Sequence, residues 1–157
     1  MSVATDQQRT FVSPDPGATS ALGRTLASVA GAGDVICLWG DLGAGKTHLA
    51  KAFGAALGVA ETITSPSFIL MAEYEGRLPL FHIDLYRLAD AADALAGGLI
   101  DDRQASGVTL VEWPERLGDA LPAARLDVRI DGSGDDPRQI TLVAGMPAYA
   151  RYLEAAS

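Results

Sequence analysis

The 157-residue chain has no asparagine, one cysteine, two lysines and no long apolar run. Without asparagine, the N-K-x-D motif that reads guanine in many GTPases is excluded. The single Cys37 excludes an internal disulfide and suits a reducing compartment. It sits in an apolar run, which makes it a small buried hydrophobe and not a nucleophile. Crossing a bilayer takes about 20 consecutive apolar residues, and no stretch offers them. Met1 to Arg9 is polar and lacks the apolar core of a secretory signal, so a cytoplasmic location with no membrane contact is expected. Positive charge is scarce. Twelve Lys and Arg face twenty Asp and Glu, for a formal net charge of −8. A protein that grips RNA or DNA by itself neutralises phosphates with a basic surface, so any nucleic acid is expected to be held by a partner.

What the chain does have is 48% hydrophobic residues, enough for one folded domain over residues 1–157. Its core is expected over about 10–145, with a terminal helix over 146–156. Gly40-Asp41-Leu42-Gly43-Ala44-Gly45-Lys46-Thr47 fits G-x-x-x-x-G-K-S/T at every fixed position. In such a loop the glycines let backbone N–H groups turn inward around phosphate oxygens. The positive end of the following helix favours the same charge. Lys46 can reach the β- and γ-phosphates, and the Thr47 hydroxyl can bind Mg²⁺. Asp41, Leu42, Gly43, Ala44, Gly45 and His48 complete the expected nucleotide contacts. The context agrees. Val35-Ile36-Cys37-Leu38-Trp39 reads as a strand feeding the loop, and Thr47 to Leu57 as a helix stopping near Gly58. With the guanine motif excluded, ATP is favoured over GTP.

The remaining patterns predict a mixed sheet. Thr10-Phe11-Val12 reads as a short first strand, followed by a helix from Ala18 to Ala30 with Leu22, Leu26 and Val29 inward. The runs 68–72 and 78–83 are joined by a link too short for a parallel crossover, so they should form a hairpin. Ala89 to Leu95 reads as a short helix and 108–111 as a buried strand. Arg125 to Ile130 and Gln139 to Val143 flank an Asp/Gly-rich turn and read as a second hairpin.

A phosphate loop needs a carboxylate to complete the Mg²⁺ shell, and hydrolysis needs a group to orient water. Asp84 ends the run Leu80-Phe81-His82-Ile83, and Glu112 ends Val108-Thr109-Leu110-Val111. Either acid fits the pattern of a buried strand followed by a carboxylate, and either fits a solvated strand end. His82 reads equally as an edge histidine or as a neighbour of the nucleotide. Arg87 is a catalytic cation or a surface partner of Asp84 or Asp90. Trp113 is core or a partner-facing aromatic. Ser65, Pro66 and Ser67 lie where a γ-phosphate-sensing switch would sit.

Four blocks in order carry a resemblance: Gly40 to Thr47, Thr64-Ser65-Pro66-Ser67-Phe68, His82-Ile83-Asp84-Leu85-Tyr86-Arg87-Leu88, and Val111-Glu112-Trp113-Pro114. Over roughly Phe11 to Val143 the chain resembles the TsaE (YjeE) family of bacterial ATPases in tRNA threonylcarbamoyladenosine biosynthesis. The resemblance implies a single-domain α/β P-loop NTPase with a mixed parallel/antiparallel sheet flanked by helices. It implies weak ATP hydrolysis that supports multiple turnover of a complex. The partners implied are the threonylcarbamoyl transferase subunit (TsaD) and its pseudo-paralogue (TsaB), with tRNA met only indirectly. By resemblance, Thr47 and Glu112 would hold Mg²⁺, Asp84 would orient or deprotonate water, and Ser65-Pro66-Ser67 would be the switch. The two acids can exchange these roles. Arg138 is a further candidate for touching the nucleotide. The chain departs from the family's common pattern at Ser67, where Thr is usual, at His48, and in the alanine-rich stretch 89–98. Two other readings stand beside this one. A small-molecule kinase would use Asp84 as base, but no arginine-rich lid is evident. A nucleotide-gated binding module would present Trp113 without needing turnover.

Overall fold

The computed structural model describes residues 7–41, 43–63, 71–86 and 102–156. Seven strands form one sheet: β1 (Gln7–Ser13), β2 (Val35–Trp39), β3 (Met71–Tyr74), β4 (Leu80–Asp84), β5 (Val108–Glu112), β6 (Leu126–Asp131) and β7 (Arg138–Ala144). Their order across the sheet is β1-β7-β6-β2-β5-β4-β3. The four central strands β6, β2, β5 and β4 run parallel. The edges are antiparallel: β3 pairs with β4, β7 with β6, and β1 with β7. The chain therefore folds as the mixed α/β architecture that its patterns predict.

Residue type explains the split between centre and edges. β5 is buried at all five positions and β4 at four of five, as expected of strands covered on both faces. β7 alternates, with Ile140, Leu142 and Ala144 inward, because only one of its faces meets core. Helices α1 (Pro16–Ser28), α2 (Lys46–Ala56) and α3 (Ala150–Ala155) lie against one face of the sheet. Leu22 and Leu26 of α1, and Leu49 and Phe53 of α2, fill that interface with Ile36, Leu38 and Leu110. The opposite face carries a smaller cluster of Cys37, Ile83, Leu85, Val111 and Leu117, flanked by Trp39 and Trp113. Burial, with Asp127 nearby, pushes the Cys37 thiol up to about 12, which keeps it protonated and inert.

Local chemistry sets the helix ends. The Asp15 carboxylate accepts from the Ala18 amide at 2.8 Å, and Pro16 opens α1. The terminal helix is shorter than its sequence predicts. A 3-10 turn over Pro147–Tyr149 precedes α3, because side chains there are drawn inward. The Tyr149 hydroxyl accepts from the Val35 amide at 3.0 Å, while Tyr152 and Arg151 both donate to the Asp34 carboxylate. β1 begins at Gln7, three residues before the sequence signal, because its exposed half pairs with β7 and buries little. The predicted helix 89–95, and 68–70 of the first hairpin strand, lie outside the described residues. No helix among the described residues is long and apolar enough to cross a membrane.

Candidate functional site

β2 ends in the glycine-rich loop, and the loop ends at the first turn of α2. Two glycines make this connection possible. Gly40 has φ 152°, and a Cβ there would stand 2.7 Å from the Ile130 carbonyl. Gly45, at the N-cap of α2, has φ 113°. It brings no capping side chain, so the first-turn amides of α2 are left for an anion.

Lys46 opens α2 and is 5% exposed. Its Nζ donates to the Gly40 carbonyl at 2.7 Å and lies 3.6 Å from the centroid of the Trp113 ring. Burial holds the ammonium below its usual pKa, and Glu112, Glu115, Asp84 and Asp41 pull it back up. Trp113 is the one non-glycine with positive φ among the described residues, at 59°. Standing before Pro114 in a left-handed conformation costs on the order of 1–2 kcal/mol. That strain turns the indole from the end of β5 back over Lys46, with Tyr86 against it at 5.0 Å.

The two carboxylates arrive by strand register. Asp84 ends β4 and Glu112 ends β5, and they stand opposite each other in the parallel pair. Side chains alternate along a strand, so directly opposed residues share a face, here the one on which α2 sits. The Asp84 Oδ1 accepts from the Tyr86 amide at 3.0 Å. Glu112 is 3% exposed, and its Oε2 is 2.6 Å from the Nε2 of His82.

Arg138, at the start of β7, reaches across to the loop. Its Nε donates to the Ala44 carbonyl at 2.8 Å and its Nη2 to the Gly43 carbonyl at 3.1 Å. Nη2 also meets the Gly134 carbonyl at 3.0 Å, and Nη1 donates to the Asp136 carbonyl. One guanidinium thus ties the β6–β7 turn to the glycine-rich loop.

The loop from Gly43, Lys46, Trp113, the two carboxylates and Arg138 border one cleft of about 690 Å³. It gathers Gly43, Ala44, Gly45, Lys46, Thr47, His48, Asp84, Glu112, Trp113 and Arg138 from the sequence-predicted set. Asp41 is exposed, and its carbonyl accepts from the Ala44 amide at 3.1 Å within the same loop. Leu42, Ser65, Pro66, Ser67 and Arg87 lie outside the described residues. Three contributors were not singled out as site residues from the sequence. They are the Ser13–Pro16 approach to α1 with Thr19, the acidic pair Asp135 and Asp136, and Tyr86. Asp135-Asp136 was visible only as turn composition. Nothing in the sequence places β1 and the β6–β7 turn beside the loop.

The donor set suits a hard cation. Beside the glycine-rich loop the cleft presents the Thr47 hydroxyl with the Asp84 and Glu112 carboxylates, an oxygen set. No group of three or more His, Cys, Asp or Glu among the described residues could hold a metal alone. A cation here would share its shell with ligand phosphates, which is how Mg²⁺ is commonly held.

The chain is similar to known proteins over most of its length. The family model described as threonylcarbamoyl adenosine biosynthesis protein TsaE matches residues 13–140. A Bacillus subtilis protein named tRNA threonylcarbamoyladenosine biosynthesis protein TsaE is 41% identical over 144 residues, covering 91% of this chain and 90% of that protein. A Streptomyces coelicolor protein of the same name is 38% identical over 128 residues, covering 77% and 86%. The crystal structure of YdiB from Bacillus subtilis superposes with a TM-score of 0.75 at 37% identity, covering 97% of this chain and 95% of that one.

Proposed function

This chain belongs to the TsaE family, and from that premise we propose that it serves tRNA threonylcarbamoyladenosine biosynthesis as its ATP-hydrolysing component. The observation that carries the ATPase reading is the register pair Asp84 and Glu112, set in one cleft with the glycine-rich loop. Loop amides and the α2 N-terminus would hold the phosphates, and Lys46 would exchange the Gly40 carbonyl and Trp113 for phosphate oxygens. Thr47 and Glu112 would hold Mg²⁺, which when bound neutralises charge on the β- and γ-phosphates. Asp84, the more accessible acid, would orient the attacking water and accept its proton.

The net charge of −8 supports an indirect relation to tRNA, which would be held by the transferase TsaD with TsaB, while this chain's turnover would reset the assembly. The testing measurement is ATP hydrolysis by the chain alone and with TsaD and TsaB. Glu112→Ala and Asp84→Ala are run beside it. A slow basal rate that rises in the complex, and falls about a hundredfold or more in either variant, is expected. Normal hydrolysis by both variants in the assembled complex would sink the site assignment. Sustained tRNA modification by a variant that binds but cannot cleave ATP would favour a nucleotide-gated module instead.

A further inference from the structure

His82 lies in the middle of β4 and is 1% exposed. In the parallel register it stands opposite Leu110, two residues before Glu112 on β5. Strand alternation therefore puts it on the same face as Glu112, one step deeper in the core. Its Nε2 is 2.6 Å from the Glu112 Oε2, while its Nδ1 is buried with no hydrogen-bond partner among the described residues. An ionised carboxylate only accepts, so against a metal-ligating Glu112 the Nε2 is the donor of this bond. A buried imidazole with one nitrogen unsatisfied is a poor device for stability alone. The bond it makes falls on one oxygen of a carboxylate that borders the cleft.

We propose that His82 is a positioning residue for Glu112. It pins Oε2 from below and so commits the other oxygen, Oε1, to the cleft and its divalent cation. Carboxylates that ligate metals are themselves oriented by such hydrogen bonds, and losing one typically weakens metal affinity about 10–100-fold. This inference rests on the reading of the cleft as a Mg²⁺–nucleotide site.

The test measures Mn²⁺ binding to the full chain with a non-hydrolysable ATP analogue, followed by electron paramagnetic resonance. Nucleotide binding in EDTA and thermal unfolding are measured alongside. His82→Leu removes the donor. His82→Gln keeps an N–H at the reach of Nε2. His82→Asn places its amide at the level of Nδ1, too short to meet Oε2. The Leu and Asn variants are expected to bind Mn²⁺ about tenfold or more weakly, with Gln close to wild type. Metal-free nucleotide affinity should be unchanged in all three. Should His82→Leu fail to fold, the Asn–Gln pair decides the matter, since both are polar and similar in burial cost. Wild-type Mn²⁺ affinity in folded Leu or Asn variants would overturn the proposal and leave His82 a core residue. Glu112→Gln separates the two levels. If it binds Mn²⁺ normally, the metal reading of Glu112 fails. If it binds weakly while the His82 variants bind normally, only the positioning role fails.

Discussion

Arg138 offers the sharpest test of how the glycine-rich loop is kept in shape. In the structure its guanidinium reaches four backbone carbonyls, two on the loop and two on the β6–β7 turn. Only the bond to Ala44 is partly buried, and the others are exposed. Solvent screening keeps such exposed bonds to a few tenths of a kcal/mol each, and the part-buried one adds about 1 kcal/mol. Arg138→Ala should then cost the ligand-free protein about 1–2 kcal/mol. For a chain of this length that lowers Tm by about 2–8 °C. If phosphates re-order the loop on binding, the same free energy comes out of affinity, weakening ADP by about 5–30-fold. Differential scanning fluorimetry and titration calorimetry read the two quantities. Arg138→Lys, a point donor on a flexible stem, should recover little of either. An unchanged Tm with a large loss of ADP affinity would refute the clamp and make Arg138 a direct nucleotide contact.

Two further outcomes follow from the geometry. Gly40→Ala would force a Cβ to within 2.7 Å of the Ile130 carbonyl at φ 152°, so it should destabilise the fold by on the order of 1–3 kcal/mol and weaken nucleotide binding, measured by urea unfolding and calorimetry. Near-normal stability would show that β2 and β6 can separate at that end. At high pH, Tyr152 matters: burial first, then its bond to Asp34, raise its pKa above the usual 10. The native state then keeps a proton that the unfolded chain releases, so its contribution is intact below pH 10 and shrinks as pH rises beyond it. Tyr152→Phe should flatten the alkaline limb of the stability curve, followed by thermal unfolding between pH 8 and 11. An unchanged limb would assign the alkaline loss to other groups.

Strong local signals made several parts of the fold readable from the residues. The glycine spacing of the loop, the four-residue runs that end at Asp84 and Glu112, and the two hairpins were all legible. Each depends on neighbours within a few residues: glycine at positive φ, strand alternation, and turns too short for a crossover. Which of these parts stand side by side came from strand order. Parallel pairing of β4 with β5 sets Asp84 opposite Glu112, and the same register brings His82 under Glu112. Antiparallel β7 carries Arg138, 94 residues along the chain, onto the Ala44 carbonyl. The left-handed Trp113 folds back over Lys46 only because β2 and β5 are neighbours. These contacts join distant segments through strand order, and no local pattern encodes strand order. It is set by the joint burial of all the apolar faces at once.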